Sequence, residues 1–240
     1  MKILNLGCGT KTNLKVINID WSIYLRIRKN KLLYGAARFI IKGERLKKLE
    51  NIPANILVHD LSKGIPFPAN SFDAVYHSHF LEHLDRNVVE SFLFEVKRVL
   101  KVNGIQRIVV PDFERICRNY IKHIELCNNN AGDITKHDDF ISALIGQSVM
   151  KEAFSTSQQA NWMRFLENII LGDARKRGIT HQWMYDRINL SVLLESVGFR
   201  DITIEKYNTS SIPDWNIYCL DLDETGMEYK PGSLYIEAKK

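Results

Sequence analysis

The sequence predicts an α/β protein: a doubly wound, mostly parallel sheet covered by helices on both faces, with a helical insertion late in the chain. Three observations predict it. Short apolar runs alternate with amphipathic helical stretches up to about residue 110, the pattern of βαβ units whose crossovers cover both faces of a sheet. The first apolar run, Ile3, Leu4 and Leu6, breaks at Gly7-Cys8-Gly9, where glycine lets the backbone turn and approach a ligand without a Cβ in the way. Asp20 and Asp60 each close a later apolar run. All three features therefore fall just past strand ends, where open α/β sheets bind their ligands.

The elements follow in order. Residues 2–6 form the first strand and Val16–Ile19 the second, ending at Asp20. Only Thr10–Lys15 separate them. A parallel crossover normally takes about a dozen residues, so the first crossover helix is expected to be reduced to a loop. Residues 22–50 read as helix, broken near Asn30 or Gly35 and again at Gly43, with Leu25, Leu32, Leu33 and Leu49 among the apolar positions. Pro53 ends this region, and Ile56–Val58 is the third strand, followed by His59-Asp60-Leu61. A loop through Pro66 and Pro68 leads to a fourth strand, Phe72–His77, then to helix from about Leu81 and again over Glu90–Lys101. Asn103-Gly104 supplies a turn, and Ile105–Val110 is the fifth strand, closed by Pro111-Asp112. Asp112 suits the N-cap of a helix beginning at Phe113.

From about residue 113 to 180 the chain reads as helical, with loops near Asn128–Gly132 and Ser155–Ser157. That is too long for a plain crossover, and it is expected to be an insertion above the carboxyl edge of the sheet, where a lid would sit. A helix over Leu190–Val197 stops at Gly198, and strands over Ile202–Tyr207 and Ser233–Ala238 finish the chain. The expected divisions are residues 1–112, 113–180 and 181–240.

Composition narrows the class. The chain has 240 residues, 45% hydrophobic and 25% charged, ordinary for a globular protein. No run of about 18 apolar residues is present, so no membrane span is expected. The chain begins directly with a strand and a glycine turn, so a signal peptide is not expected either. Cys8, Cys117, Cys127 and Cys219 lack C-x-x-C spacing, which favours reduced thiols and a cytoplasmic setting. The net charge is +5, yet residues 21–50 carry nine basic and two acidic side chains. The basic character is thus one local face. It reads either as the solvated side of an amphipathic helix packed on the sheet, or as a surface for an anionic substrate or the anionic inner face of a membrane. Nucleic acid is not expected, since no binding motif accompanies the charge.

Gly7 to Thr10 reads as the floor of a nucleotide-type site, the alternative being a tight turn between strands. The dinucleotide fingerprint does not fit: Thr12 stands where the third glycine belongs, and Asp20 comes early for its acidic partner. A carboxylate past the second strand can accept from both ribose hydroxyls of a nucleoside, and one past the third from an adenine amino group.

With these residues in place, the chain resembles the class I S-adenosylmethionine-dependent methyltransferases. LNLGCGTK is similar to their first motif, VINID to the acidic end of their second strand, and HDLSKGIPFPANSFDAVYHSHFLEHL to the third and fourth strand block of the type 11 subgroup. RVLKVNGIQRIVVPD resembles the helix and strand that follow. The resemblance covers residues 1–112 and resumes at LSVLLESVGF and SLYIEAKK. It implies a Rossmann-like sheet with an antiparallel C-terminal strand, and S-adenosyl-L-methionine as cofactor. By position, Leu6, Gly7, Cys8 and Gly9 would pass the backbone close to its methionine part. Asp20 would hold the ribose with Trp21 beside it, Asp60 and Leu61 would frame the adenine, and His77 and Ser78 would lie under the sulfonium. The pattern is similar to a bacterial branch associated with surface-polysaccharide biosynthesis, which implies a sugar or glycan acceptor. The chain departs from the family at Asn5, where an acidic residue is usual, and at Lys11, where a third glycine is usual. A cofactor-binding protein without transfer activity, or a methyltransferase acting on another small molecule, is the alternative.

His79-Phe80-Leu81-Glu82-His83 also spells H-x-x-E-H, an inverted zinc-protease pattern. Those proteases need both histidines on one helix face. His79 is expected at the strand-to-helix junction, and no metal is expected. For an acceptor hydroxyl a general base helps. His181 in GITHQWMYD is the first candidate and Asp112 the second. His181 could equally cap the helix after it, and Trp183 and Tyr185 could stack on a sugar ring or belong to the core.

Overall fold

The computed structural model describes residues 1–40, 43, 46, 49–129, 132–147 and 180–240. Seven strands form one sheet: β1 Ile3–Leu6, β2 Ile17–Asp20, β3 Ile56–Val58, β4 Phe72–Ser78, β5 Leu100–Pro111, β6 Arg200–Glu205 and β7 Ser233–Lys239. Their order is β3-β2-β1-β4-β5-β7-β6. β1 to β5 pair in parallel, and β7 runs antiparallel between β5 and β6. The order reverses between β1 and β4, which makes their carboxyl ends the topological switch point.

Strand alternation divides the core into two layers. On one face Leu4, Leu6, Val75, Ile108 and Ile236 pack against helices α3 (Arg86–Val99) and α6 (Arg187–Ser196). α3 turns Val89, Phe92, Leu93 and Val96 inward, the helical spacing of an apolar stripe. On the other face Ile3, Ala74, Tyr76 and Val109 pack against Trp215 and Tyr218. Arg107 is fully buried on that side and pairs with Asp221 at 2.8 Å and Glu237 at 2.7 Å. This pins the connection between β6 and β7 to the sheet.

The crossover from β1 to β2 is a loop, as expected. Asparagines do the work of the missing helix. Asn5 Nδ2 donates to Lys11 O and to Asn18 Oδ1, both at 3.0 Å. Asn18 Nδ2 donates to Asn13 O at 2.9 Å, and Asn13 Nδ2 reaches Tyr218 O at 3.0 Å. Asn5 and Asn18 are both buried, so these bonds satisfy polar groups that water cannot reach. A carboxylate at position 5 has no hydrogen to give Lys11 O, which is why asparagine suits this chain where an acidic residue is usual.

Other expectations are met or corrected in detail, and the helix break expected near Asn30 or Gly35 falls at the first of these. The basic region breaks at Asn30, giving α1 Ile23–Lys29 and α2 Lys31–Ile40, and α2 runs through Gly35 without a break. Asn30 Oδ1 accepts from the amides of Leu32 and Leu33, so its side chain restarts the helix. Leu32 and Leu33 are exposed and do not pack on the sheet. The helix expected from Leu81 is a single 3-10 turn, Leu81–His83, and α3 begins earlier than Glu90. Asn103, at φ 62, loops out within β5, where pairing jumps from Phe72↔Leu100 to Ala74↔Ile105. β6 begins and ends two residues before the expected strand. Of the expected insertion, α4 Phe113–Asn128 and α5 His137–Gln147 are helical. The loop expected at Ser155–Ser157 lies outside the described residues.

Candidate cofactor site

The carboxyl ends of β1 and β4 open onto a cavity of about 220 Å³, lined by residues 7–11 together with Asn5, Tyr76, Ser78, His79, Tyr229 and Lys230. Gly7 and Gly9 adopt φ of 59° and 54°, a left-handed conformation that costs other residues roughly 1–2 kcal/mol. At Gly7 the requirement is also one of space. A Cβ there would come within 2.3 Å of the Phe80 ring. Glycine at this position therefore leaves Phe80 room to pack against the bend.

Asp20 joins this bend from the next strand. Its Oδ2 accepts from Gly9 N at 2.7 Å and its Oδ1 from Ser22 N at 2.7 Å. Each carboxylate oxygen retains a further lone pair for a ligand. Trp21 beside it is 43% exposed and carries the Arg26 guanidinium 4.6 Å above its ring. Asp60 stands at the end of β3, tied to β2 by His59 N donating to Asp20 O. It caps the 3-10 turn that starts at Leu61, and its hydrogen bond from Ser62, foremost, holds its carboxyl below the usual range. Thus the glycine bend, Asp20 and Asp60 occupy successive strand ends on one rim.

Cys8 and Ser78 line the cavity. Burial, then the nearby Asp20 charge, pushes the Cys8 thiol up, so it is no thiolate. Leu6 is fully buried and its side chain belongs to the core. His77 is a correction. Tyr76 and Ser78 face the cavity, so the strand turns His77 to the opposite layer, where it lies against Phe80 and Phe92 and bonds Gln106 Nε2 at 3.1 Å. Burial lowers its pKa to about 3. It is a neutral core residue.

Sequence reasoning missed Tyr229 and Lys230, which no motif marks. It also took Lys11 only as a departure. The Lys11 ammonium lies 4.3 Å from the Tyr229 ring centroid and donates to Leu222 O. Lys11 thereby clips the glycine loop to the segment before β7, closing one wall of the cavity.

A second, smaller group adjoins. Glu82, His181, Trp183, Tyr185, Phe113 and Ile116 are among the residues around a space of about 10 Å³, enough for one water. Glu82 is 1% exposed, and burial raises its pKa to about 8. The His83 and His181 rings are 5.0 Å apart. Asp112 caps α4, accepting from Arg115 N at 3.2 Å, and burial raises its pKa. Tyr185 is core, and Trp183, partly buried at the edge of the small space, carries Arg86 4.1 Å over its ring.

A glycine bend bonded to a second-strand carboxylate stands at the switch point of the sheet, and the methyltransferase domain that the chain carries makes it an S-adenosylmethionine-dependent methyltransferase, with S-adenosyl-L-methionine as its cofactor. Residues 4–108 match a family described as a methyltransferase domain. No curated protein matches the chain. Among solved structures, it is similar to a SAM-dependent methyltransferase from Methanosarcina mazei, at 20% identity and a TM-score of 0.48 over 100% of this chain and 92% of that one. It is also similar to one from Archaeoglobus fulgidus, at 17% identity and a TM-score of 0.42 over 100% and 86%.

Proposed function

We propose that this methyltransferase acts on a sugar or glycan intermediate of cell-surface polysaccharide biosynthesis, with methionine and ribose held by Leu6 to Gly9 and Asp20, and adenine framed by Asp60 and Leu61. The observation that supports an acceptor carrying phosphate, such as a nucleotide-linked or lipid-linked sugar, is the cationic stretch beside the rim. Arg26, Arg28, Lys29, Lys31 and Arg38 follow directly after Asp20, with no acidic residue in the first turn of α1 or α2. The motif resemblance to the polysaccharide-associated branch adds to this by analogy only.

The transfer is an in-line displacement. The S–CH₃ bond breaks as the acceptor oxygen bonds the methyl carbon, and the sulfur leaves neutral. The protein's task is alignment and exclusion of water. The hydroxyl proton passes to a base, for which His181 is better placed than Asp112, whose carboxylate already serves the α4 amides. Incubation with labelled S-adenosylmethionine and a panel of nucleotide sugars and lipid-linked glycans tests the reading. Label in a glycan product is expected. Cofactor binding with no labelled glycan, or label only in another small molecule, overturns the acceptor class.

A peripheral contact with an anionic membrane is supported by exposed Leu32 and Leu33 beside Lys31 and Arg28. No helix among the described residues is long and apolar enough to cross a membrane. Pelleting with anionic vesicles that weakens at high salt is expected, and binding indifferent to salt would count against the contact.

A further inference from the structure

We propose that Glu82, His83 and His181 form a binding site for a divalent transition-metal ion, Zn²⁺ by its donor set, next to the cofactor cavity. One donor atom from each of the three lies within 4.8 Å of the others. The sequence expects no metal here, because His79 stands outside any helix that would align it with His83. What that expectation lacked is the third residue. His181 returns from beyond the insertion and places its ring beside His83.

The hydrogen bonds around the cluster decide where the protons are. His83 Nδ1 lies 3.2 Å from Thr180 O. A carbonyl only accepts, so Nδ1 carries the hydrogen, and Nε2 of the neutral ring presents its lone pair towards Glu82 Oε1, 4.0 Å away. His79 repeats the arrangement. Its Nε2 lies 2.9 Å from Ser233 Oγ, whose own hydrogen goes to Lys230 O. His79 Nε2 is therefore the donor, and Nδ1 of its neutral ring turns a lone pair to Glu82 Oε1 at 3.4 Å. Both oxygens of Glu82 are buried and, among the described residues, make no hydrogen bond. Two ring nitrogens thus lie 3.4 and 4.0 Å from one oxygen of the buried Glu82 carboxyl group. A cation held by Glu82, His83 and His181 would satisfy these oxygens in place of the missing hydrogen bonds.

The supporting bonds have the form that metal sites use. A ligating histidine fixes its tautomer by donating its other N–H to a backbone carbonyl, as His83 does to Thr180. The frame is rigid where it needs to be: Gln182 N and Trp183 N donate to Glu82 O at 2.6 and 3.3 Å, locking the returning segment to the ligand's own backbone. Two nitrogens and one carboxylate with a position left open is a donor set that suits zinc. The open position would face the small space lined by Phe113 and Trp183. With the ion bound, His181 is a ligand and does not serve as the base.

The test is independent of transfer. Chelator-stripped protein is titrated calorimetrically with Zn²⁺, and with Co²⁺ while its visible spectrum is recorded. One equivalent is expected, with Co²⁺ bands of a nitrogen and oxygen site and no thiolate charge-transfer band. Glu82→Gln, His83→Ala and His181→Ala are each expected to weaken Zn²⁺ binding at least tenfold, with cofactor titration of the same variants reporting whether they fold. Absence of Zn²⁺ binding by the parent protein overturns the site, as does a thiolate spectrum, which would move the ion to a cysteine. Should cofactor binding survive either result, the methyltransferase reading stands without the metal.

Discussion

The amide of Gly9 donates to the Asp20 carboxylate at 2.7 Å, joining the bend after the first strand to the end of the second. The same carboxylate is the group proposed to hold the ribose. It therefore has two jobs, shaping the loop and meeting the ligand.

Asp20→Ala removes both jobs at once, and Asp20→Asn keeps the shape while losing the charge. Calorimetric titration with S-adenosylmethionine should show affinity falling by about tenfold or more for Asn, from loss of a charged acceptor worth ~1.5–3 kcal/mol, and further for Ala. Unchanged affinity in both variants would place the nucleoside elsewhere.

Gly7→Ala forces a Cβ into the Phe80 ring at a positive φ. Strain of this kind costs roughly 1–3 kcal/mol, and Phe80 must move. Denaturant unfolding should give a lower midpoint, and cofactor binding should weaken. In a Gly7→Ala, Phe80→Leu double variant, part of the stability should return while the backbone penalty remains.

Asn5→Asp would restore the acidic residue usual in the family. Here it removes the donor to Lys11 O and to Asn18 Oδ1 in a buried position. Each buried acceptor left unpaired costs roughly 1–3 kcal/mol, so the substitution should destabilise the fold and should not tighten cofactor binding. A gain in both would show that the asparagine network is dispensable.

His77 makes a pH prediction. Burial depresses its folded pKa to about 3. The unfolded chain therefore takes up this proton more readily than the native state. The stabilisation is fully present above the ordinary histidine pKa and is lost as pH falls towards 3, at ~1.4 kcal/mol per pH unit at most. Unfolding free energies measured across that window should fall more steeply for the parent than for His77→Gln. Parallel curves would mean that His77 is not the titrating group.

Much of this protein was legible in its sequence because the signals were local. The apolar runs, Gly7 and Gly9, Asp20 and Asp60 are each read within a few residues, and strand geometry alone carries them to one rim. The short first crossover was also legible from spacing. Element ends shifted where tertiary pairing overrode local cues: β4 pairs with β5 on both sides of Asn103-Gly104, at Leu100 and again from Ile105, while the helix break expected near Asn30 or Gly35 falls at Asn30. Side-chain direction failed at His77, since one residue along a strand reverses the face.

By itself, then, the sequence determined the order of elements, the rim where Gly7, Gly9, Asp20 and Asp60 meet and the class of chemistry, because backbone conformation and apolar period are properties of neighbours along the chain. Only the tertiary structure decided that Lys11 meets Tyr229, that Arg107 pairs with Asp221 and Glu237, and that His181 arrives beside Glu82 and His83. Those meetings join residues far apart in the chain, where only the packing of the whole sheet fixes distance.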